Sequence, residues 1–176
     1  MFVRKHVASS EQVREVYDDL YTEGWLGPRL SQFLWLIRLL QAKPGQTLLD
    51  VACGDAQMMP AAQKAGLVYY GVDMSPVAVR QARHPKVLVG DGGALPFVDG
   101  QFDYVTNIGS LEHYLDMAQG VREMARMLKP EGRACILVPN AFGLTWNVLW
   151  AWRTGDLFDE DGQPIQRFGT RAAWCR

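Results

Sequence analysis

The spacing of apolar residues changes near position 45, and the change divides the chain. Before it the spacing is helical. Ser9 to Gln12 has the form of a capping box, and Val13, Val16, Tyr17, Leu20 and Tyr21 then fall on one face of a helix. Gly24, Gly27 and Pro28 end that helix. A second runs to about Gln41, with Leu30, Phe33, Leu34, Ile37 and Leu40 as its expected buried stripe. Pro44-Gly45 closes this helical preamble. After it come short, continuously apolar runs at 47–51, 68–72, 86–89, 102–107 and 134–138, which read as strands buried on both faces. Helices are expected between them: one over 58–65 with Gly66 as its stop, and one capped by Ser75 and begun by Pro76. A third is marked by Met117, Val121, Met124, Ala125 and Leu128 and is stopped by Pro130. Alternating strands and helices predict an α/β fold, a Rossmann-like doubly wound sheet of at least five parallel strands.

The segment 142–152 breaks the pattern. Phe142, Leu144, Trp146, Val148, Leu149, Trp150 and Trp152 leave no polar face on a helix. Such a segment is either buried or in contact with a greasy ligand or a membrane surface. Residues 166–176 read as a lead-in, with Thr170-Arg171 capping a helix that stops after Trp174. One domain over 1–176 is expected: a helical cap at 1–45, a sheet core at 46–140, and at 141–176 an apolar segment followed by an incomplete C-terminal end. The outer edge of the fifth strand would then need cover from a second copy or a partner chain.

Composition narrows the class. The chain has 176 residues, 48% of them hydrophobic, and a formal net charge of -1. That balance gives no general electrostatic pull on nucleic acid, and no basic run reverses it. Cys53, Cys135 and Cys175 are scattered and form no metal-ligand spacing, so no metal is expected and a reducing, cytoplasmic setting is. The most apolar early run, 33–40, is interrupted by Arg38 and is too short to span a bilayer.

The candidate chemistry lies at the strand ends, where open parallel sheets hold their ligands. The turn after the first core strand, Asp50-Val51-Ala52-Cys53-Gly54-Asp55-Ala56, has one glycine and two acids. A dinucleotide fingerprint needs more glycine for close approach to a pyrophosphate, and Asp55 would repel one. Asp73 closes the second core strand and Asp91 follows the third. Four carboxylates at one sheet edge attract a cation such as a sulfonium. Asp73 has the chemistry to accept from both hydroxyls of a ribose.

Several blocks of this sequence resemble the class I S-adenosylmethionine-dependent methyltransferases, type 11-like subfamily. They are Leu48 to Ala56, Tyr70-Gly71-Val72-Asp73-Met74-Ser75-Pro76, Gly90 to Phe97, Phe102-Asp103, Leu111-Glu112-His113-Tyr114, Leu128 to Gly132, and Val138-Pro139-Asn140. The family writes glycine where this chain has Ala52 and Ala56, a departure that should cost little because a methyl group is small. The resemblance implies S-adenosyl-L-methionine as cofactor and S-adenosyl-L-homocysteine as product. It implies a cofactor site of Asp50, Ala52, Cys53, Gly54, Asp55, Asp73, Met74, Asp91, Gly92, Asn107, Ile108 and Gly109. Within it, Asp73 would hold the ribose and Asp91 the adenine amino group.

Methyl transfer needs alignment and exclusion of water, and needs a base only where the acceptor must lose a proton. His113 is the candidate base; packing or capping is its other reading. Tyr17 and Tyr21, one turn apart, read as a lid or as a core stripe. With Trp146 and Trp150 they are the candidate acceptor-side residues, for a small-molecule acceptor of apolar or lipid-linked kind. Asn107-Ile108-Gly109-Ser110 lacks the signature of enzymes that methylate bases. Two further classes stand beside an active methyltransferase. One is a cofactor-binding remnant, or partner-completed module, without turnover of its own. The other is an NAD-dependent oxidoreductase, disfavoured by Asp55 and the lone Gly54.

Overall fold

The computed structural model describes residues 2–5, 7–24, 30–139, 149, 152–153 and 164–175. Strand β1 (Phe2–Lys5) is followed by helices α1 (Ser10–Glu23) and α2 (Leu30–Leu39). The core then alternates: β2 (Thr47–Val51), α3 (Met59–Lys64), β3 (Val68–Asp73), α4 (Pro76–Ala82), β4 (Val87–Val89), β5 (Phe102–Ile108), a single 3-10 turn (Leu111–His113), α5 (Met117–Met127) and β6 (Leu128–Leu137). β7 (Ile165–Phe168) and α6 (Arg171–Trp174) follow. The five core strands are all parallel, in the order β4-β3-β2-β5-β6. Strand order reverses at β2, so the crevice between the ends of β2 and β5 is the switch point.

The alternation along each strand builds two cores. Leu48, Tyr69 and Tyr104 pack with Phe33, Leu36 and Ile37 of α2 and Ala61 and Ala62 of α3. Leu49, Val51, Val72, Phe102 and Val105 pack on the other face with Met124 and Met127 of α5. Helix caps follow the local sequence. The Ser9 hydroxyl accepts the Gln12 amide at 3.3 Å, and the Gln12 side chain returns to the Ala8 amide at 2.7 Å. The Ser75 hydroxyl accepts the Ala78 amide at 3.1 Å.

Three expectations need correction. Of the expected stripe of α2, Phe33, Ile37 and the following Leu40 are buried and Leu34 is partly so, while Leu36 joins them and Leu30 is exposed, because the face that meets the sheet and α3 is rotated slightly from the expected one. β6 begins at Leu128, not 134. Leu128 is already extended where α5 ends, and the Pro130 to Gly132 stretch, with Glu131 at φ 68°, stays in the sheet as an irregularity against β5. Residues 166–168 are not a lead-in but part of β7, which pairs antiparallel with β1 (Val3 opposite Arg167, Lys5 opposite Ile165). Thr170 caps α6 as expected, and Trp174 Nε1 donates to the Pro139 carbonyl at 2.9 Å, tying α6 to the end of β6. Among the described residues β6 pairs only with β5, and no helix is long and apolar enough to cross a membrane.

Candidate functional site

The turn after β2 carries three left-handed residues: Ala52 (φ 58°), Gly54 (φ 56°) and Ala56 (φ 65°). The two alanines therefore differ from glycine by backbone strain as well as by a methyl group, since an L-residue in this region costs roughly 1–2 kcal/mol. The turn is stitched to its surroundings by the Cys53 amide donating to the Val72 carbonyl at 3.1 Å. Beneath it, buried Asp50 accepts from Thr106 Oγ1 at 2.7 Å and from the Tyr69 hydroxyl at 3.0 Å.

Asp73, at the end of β3, accepts the Gly54 amide at 2.7 Å on one oxygen and the Ser75 amide at 2.9 Å on the other. A carboxylate offers about four acceptor positions, so both oxygens keep capacity for a further donor. Burial pushes the Asp50 and Asp73 carboxyls up to about 6, with Asp18 and Asp55 adding to the rise at Asp73 and Asp73 adding to that at Asp50. Burial likewise holds the Tyr21 phenol far above its ordinary value, with Asp73 and Asp55 next in effect. Asp91 accepts the Gly93 amide at 2.8 Å.

The loop that follows Asp91 is held by one face of α5. Gln119 donates to the Gly93 carbonyl at 3.1 Å, Glu123 accepts the Leu95 amide at 2.8 Å, and Arg126 donates to the carbonyls of Leu95 and Phe97. These three residues were not expected at the site. Their spacing of four and then three residues, on the polar side of an amphipathic helix, was the available signal.

Two cavities meet over the turn. The larger, about 230 Å³, is bounded by Asp73, Met74, Asp91, Gly92, His113 and Tyr114, among others. The smaller, about 80 Å³, includes Asp50, Cys53, Gly54, Asp55, Ile108 and Gly109. Ala52, Asp73, Met74 and Ser110 border both. Asn107 borders neither. Fully buried, it donates to the Val51 carbonyl at 3.1 Å and the Tyr114 hydroxyl at 3.3 Å and accepts the Leu111 amide at 2.8 Å. It braces the wall from behind.

Tyr17 and Tyr21 stand on the wall of the smaller cavity, not in the core. Their helix is pinned to α4. Asp18 accepts from the Ser75 hydroxyl and the Val77 amide, and Gln81 Nε2 donates to the Tyr21 carbonyl at 3.0 Å. His113 sits edge-on to Tyr17, 6.4 Å between ring centres, with Nε2 3.7 Å from the buried Glu112 carboxylate and Nδ1 against the Ile165 carbonyl. Trp146 and Trp150 lie outside the described residues.

A floor of buried and half-buried carboxylates under a left-handed turn suits a ligand with a positive centre and a ribose, and opposes a pyrophosphate. Comparison with known proteins agrees. Residues 49–136, half of the chain, match the type 11 family described as "Methyltransferase domain". The chain is 37% identical over 99 residues to the demethylmenaquinone methyltransferase of Corynebacterium kroppenstedtii, covering 55% of this chain and 43% of that one. It is 30% identical over 165 residues to the probable tRNA methyltransferase 9B of Bos taurus, covering 88% and 35%. Both alignments span less than half the relative's own length. A putative methyltransferase solved with the Haloferax volcanii Trm112 activator superposes with a TM-score of 0.67 at 23% identity, over 90% of this chain and 72% of that one. The phosphoethanolamine N-methyltransferase 2 of Haemonchus contortus, solved with S-adenosyl-L-methionine, gives 0.58 at 25% identity, over 72% and 32%. This chain belongs to the class I S-adenosylmethionine-dependent methyltransferase domains of type 11, and S-adenosylmethionine is the cofactor of its fold.

Proposed function

We propose that the chain transfers a methyl group from S-adenosylmethionine to a small-molecule acceptor of apolar or lipid-linked kind by in-line displacement. The observation that carries this is the acid floor: Asp50, Asp55 and Asp73 converge on one cavity, with Asp73 and Asp91 on the other. When bound, the cofactor supplies a methyl group on a positively charged sulfur.

The chain's own residues then divide the work. Asp73, oriented by two amides, accepts from the ribose hydroxyls, and Asp91 from the adenine amino group. Met74 flanks the adenine ring, and Gly92, where a side chain would collide with Tyr114, keeps the approach open beside it. The Gly54 turn, with Cys53, Ile108 and Gly109, packs backbone against the methionine end, and Asp50 and Asp55 favour its positive charge. Tyr17 and Tyr21 close that end against water. His113 takes the proton where the acceptor must lose one. Trp146 and Trp150 belong to the acceptor side.

Support for an apolar acceptor comes from the relatives named for demethylmenaquinone and for 2-phytyl-1,4-naphtoquinone. The relative named for tRNA favours a different acceptor, and the net charge of -1 weighs against it. Scattered free cysteines support a cytoplasmic setting. Calorimetry with S-adenosylmethionine, S-adenosylhomocysteine and NAD tests the cofactor assignment; no binding by either sulfur compound overturns it. Transfer of labelled methyl to a prenylated naphthoquinol, set against tRNA, tests the acceptor. A second reading, a module completed by a partner, is favoured by the outer edge of β6, where Ile136 and Leu137 are exposed. It predicts cofactor binding without turnover by the isolated chain.

A further inference from the structure

The turn that presents His113 and Tyr114 to the larger cavity does not hold itself in place. Arg167, on β7 and buried, donates through Nη1 to the carbonyl of Glu112 at 2.7 Å and to that of Tyr114 at 2.6 Å. Those two carbonyls flank His113 in sequence, so the guanidinium brackets the residue from both sides. Two positions earlier on the same strand, fully buried Ile165 sets its carbonyl against His113 Nδ1. β7 thus reaches the turn twice, with the Arg167 side chain and with the Ile165 backbone carbonyl, while β1 pairs along the strand. β7 lies outside the segment 49–136 that the family shares.

A carbonyl oxygen only accepts, so a hydrogen bond to it requires the proton on Nδ1. That choice leaves Nε2 with the lone pair, and Nε2 is the nitrogen 3.7 Å from the Glu112 carboxylate. A proton taken up at Nε2 would then form an imidazolium with a carboxylate beside it, an arrangement that favours the charged ring. Burying a guanidinium is costly unless its donors are used, and Arg is suited to gripping carbonyls that a point charge would hold less rigidly.

We infer that β7 is a positioning element of the acceptor side: Arg167 fixes the 111–114 turn, and the Ile165 carbonyl sets His113 in its Nδ1–H tautomer with Nε2 as the basic nitrogen. This rests on the reading of His113 as the proton acceptor. Arg167 is a positioning residue, acting through the turn.

The test is nitrogen NMR of the full chain labelled at its histidines, with His113 assigned by loss of its signals in His113→Gln. The wild type is expected to show Nδ1 protonated and Nε2 unprotonated when the ring is neutral. Arg167→Met is expected to mix the tautomers and move the His113 titration midpoint, and Arg167→Lys to restore part of the wild-type signature. Urea denaturation of the same samples establishes that each variant is folded. A wild-type ring protonated on Nε2 overturns the inference, and that result does not depend on any variant folding. So does a folded Arg167→Met with the wild-type signature. Failure of the wild type to bind S-adenosylhomocysteine would count instead against the methyltransferase reading and leave the tautomer result standing.

Discussion

The Asp73 carboxylate accepts the backbone amide of Gly54 at 2.7 Å, so the acid that ends β3 is oriented by the turn that ends β2. Asp73 and the turn are thus one hydrogen-bonded unit, held by the chain's own amides. Pre-organisation of this kind raises affinity by lowering the cost of ordering on binding.

Asp73→Asn is expected to weaken S-adenosylhomocysteine binding by about 1.5–3 kcal/mol, the scale of hydrogen bonds to a charged group. One side-chain amide would also face a backbone N–H, donor against donor. Calorimetry and urea denaturation on the same samples separate the two effects. Unchanged affinity in a folded Asp73→Asn would remove Asp73 from the ribose.

Gly54 has a second constraint. Its φ of 56° is left-handed, and a Cβ built on it would overlap the Tyr21 hydroxyl. Gly54→Ala should lose about 1–2 kcal/mol to the backbone alone, and should displace the α1 roof as well. Adding Tyr21→Phe to Gly54→Ala removes the overlap with the hydroxyl and keeps the ring, but does not remove the backbone cost. The double variant should therefore recover ligand affinity without recovering full stability. Urea midpoints and calorimetry report the two parts, and a Gly54→Ala chain as stable as wild type would contradict both.

The acid floor makes opposite pH predictions for folding and for binding. Burial raises Asp50 and Asp73 to about 6, against roughly 3.9 in an unfolded chain. Between those values the native chain holds protons that the unfolded chain has lost. The contribution of these two groups to stability is therefore full below about pH 4, falls as pH rises through about 6, and is flat above. The proposed role of the ionised acids is to hold the sulfonium, so S-adenosylmethionine affinity should rise with pH through the same window. S-adenosylhomocysteine, without that charge, should change less. Calorimetry with both ligands near pH 5 and pH 7.5 decides it; equal pH dependence would detach charge selection from these acids.

What the sequence revealed of this molecule was what local physics decides. The Ser9 and Ser75 caps, the apolar runs of β2, β3 and β5, and the acids at the ends of β2 and β3 are each set by neighbours a few residues away. The partnership of β1 with β7 is not, because two four-residue strands at opposite ends of the chain carry no signal of their pairing. Leu36 rather than Leu30 is buried in α2 because the surface the helix meets chooses its face. The family resemblance puts Asn107 in the cofactor site, yet it turns inward, where its amide satisfies three polar groups. Nothing local marks Arg167 and Arg126, because only the fold places the carbonyls they hold beside them. The left-handed angles of Ala52 and Ala56 were likewise hidden, since alanine gives no hint of positive φ.

Those two alanines provide a matched pair. Ala52 is half-buried beside both cavities, while Ala56 is packed in the core at 2% exposure. Relief of left-handed strain is worth roughly 1–2 kcal/mol, and the greater entropy of glycine in the unfolded chain takes back roughly 0.5–1 kcal/mol. Ala52→Gly should therefore stabilise the chain by about 0.5–1 kcal/mol and leave S-adenosylhomocysteine affinity equal or higher. Ala56→Gly also loses a buried methyl, worth about 0.8 kcal/mol, which offsets the gain and leaves stability near that of wild type. Urea denaturation at constant m-value measures both. If Ala52→Gly proves less stable than wild type, the strain assigned to the turn is not there, and the cost of alanine at these positions reduces to the size of its methyl group.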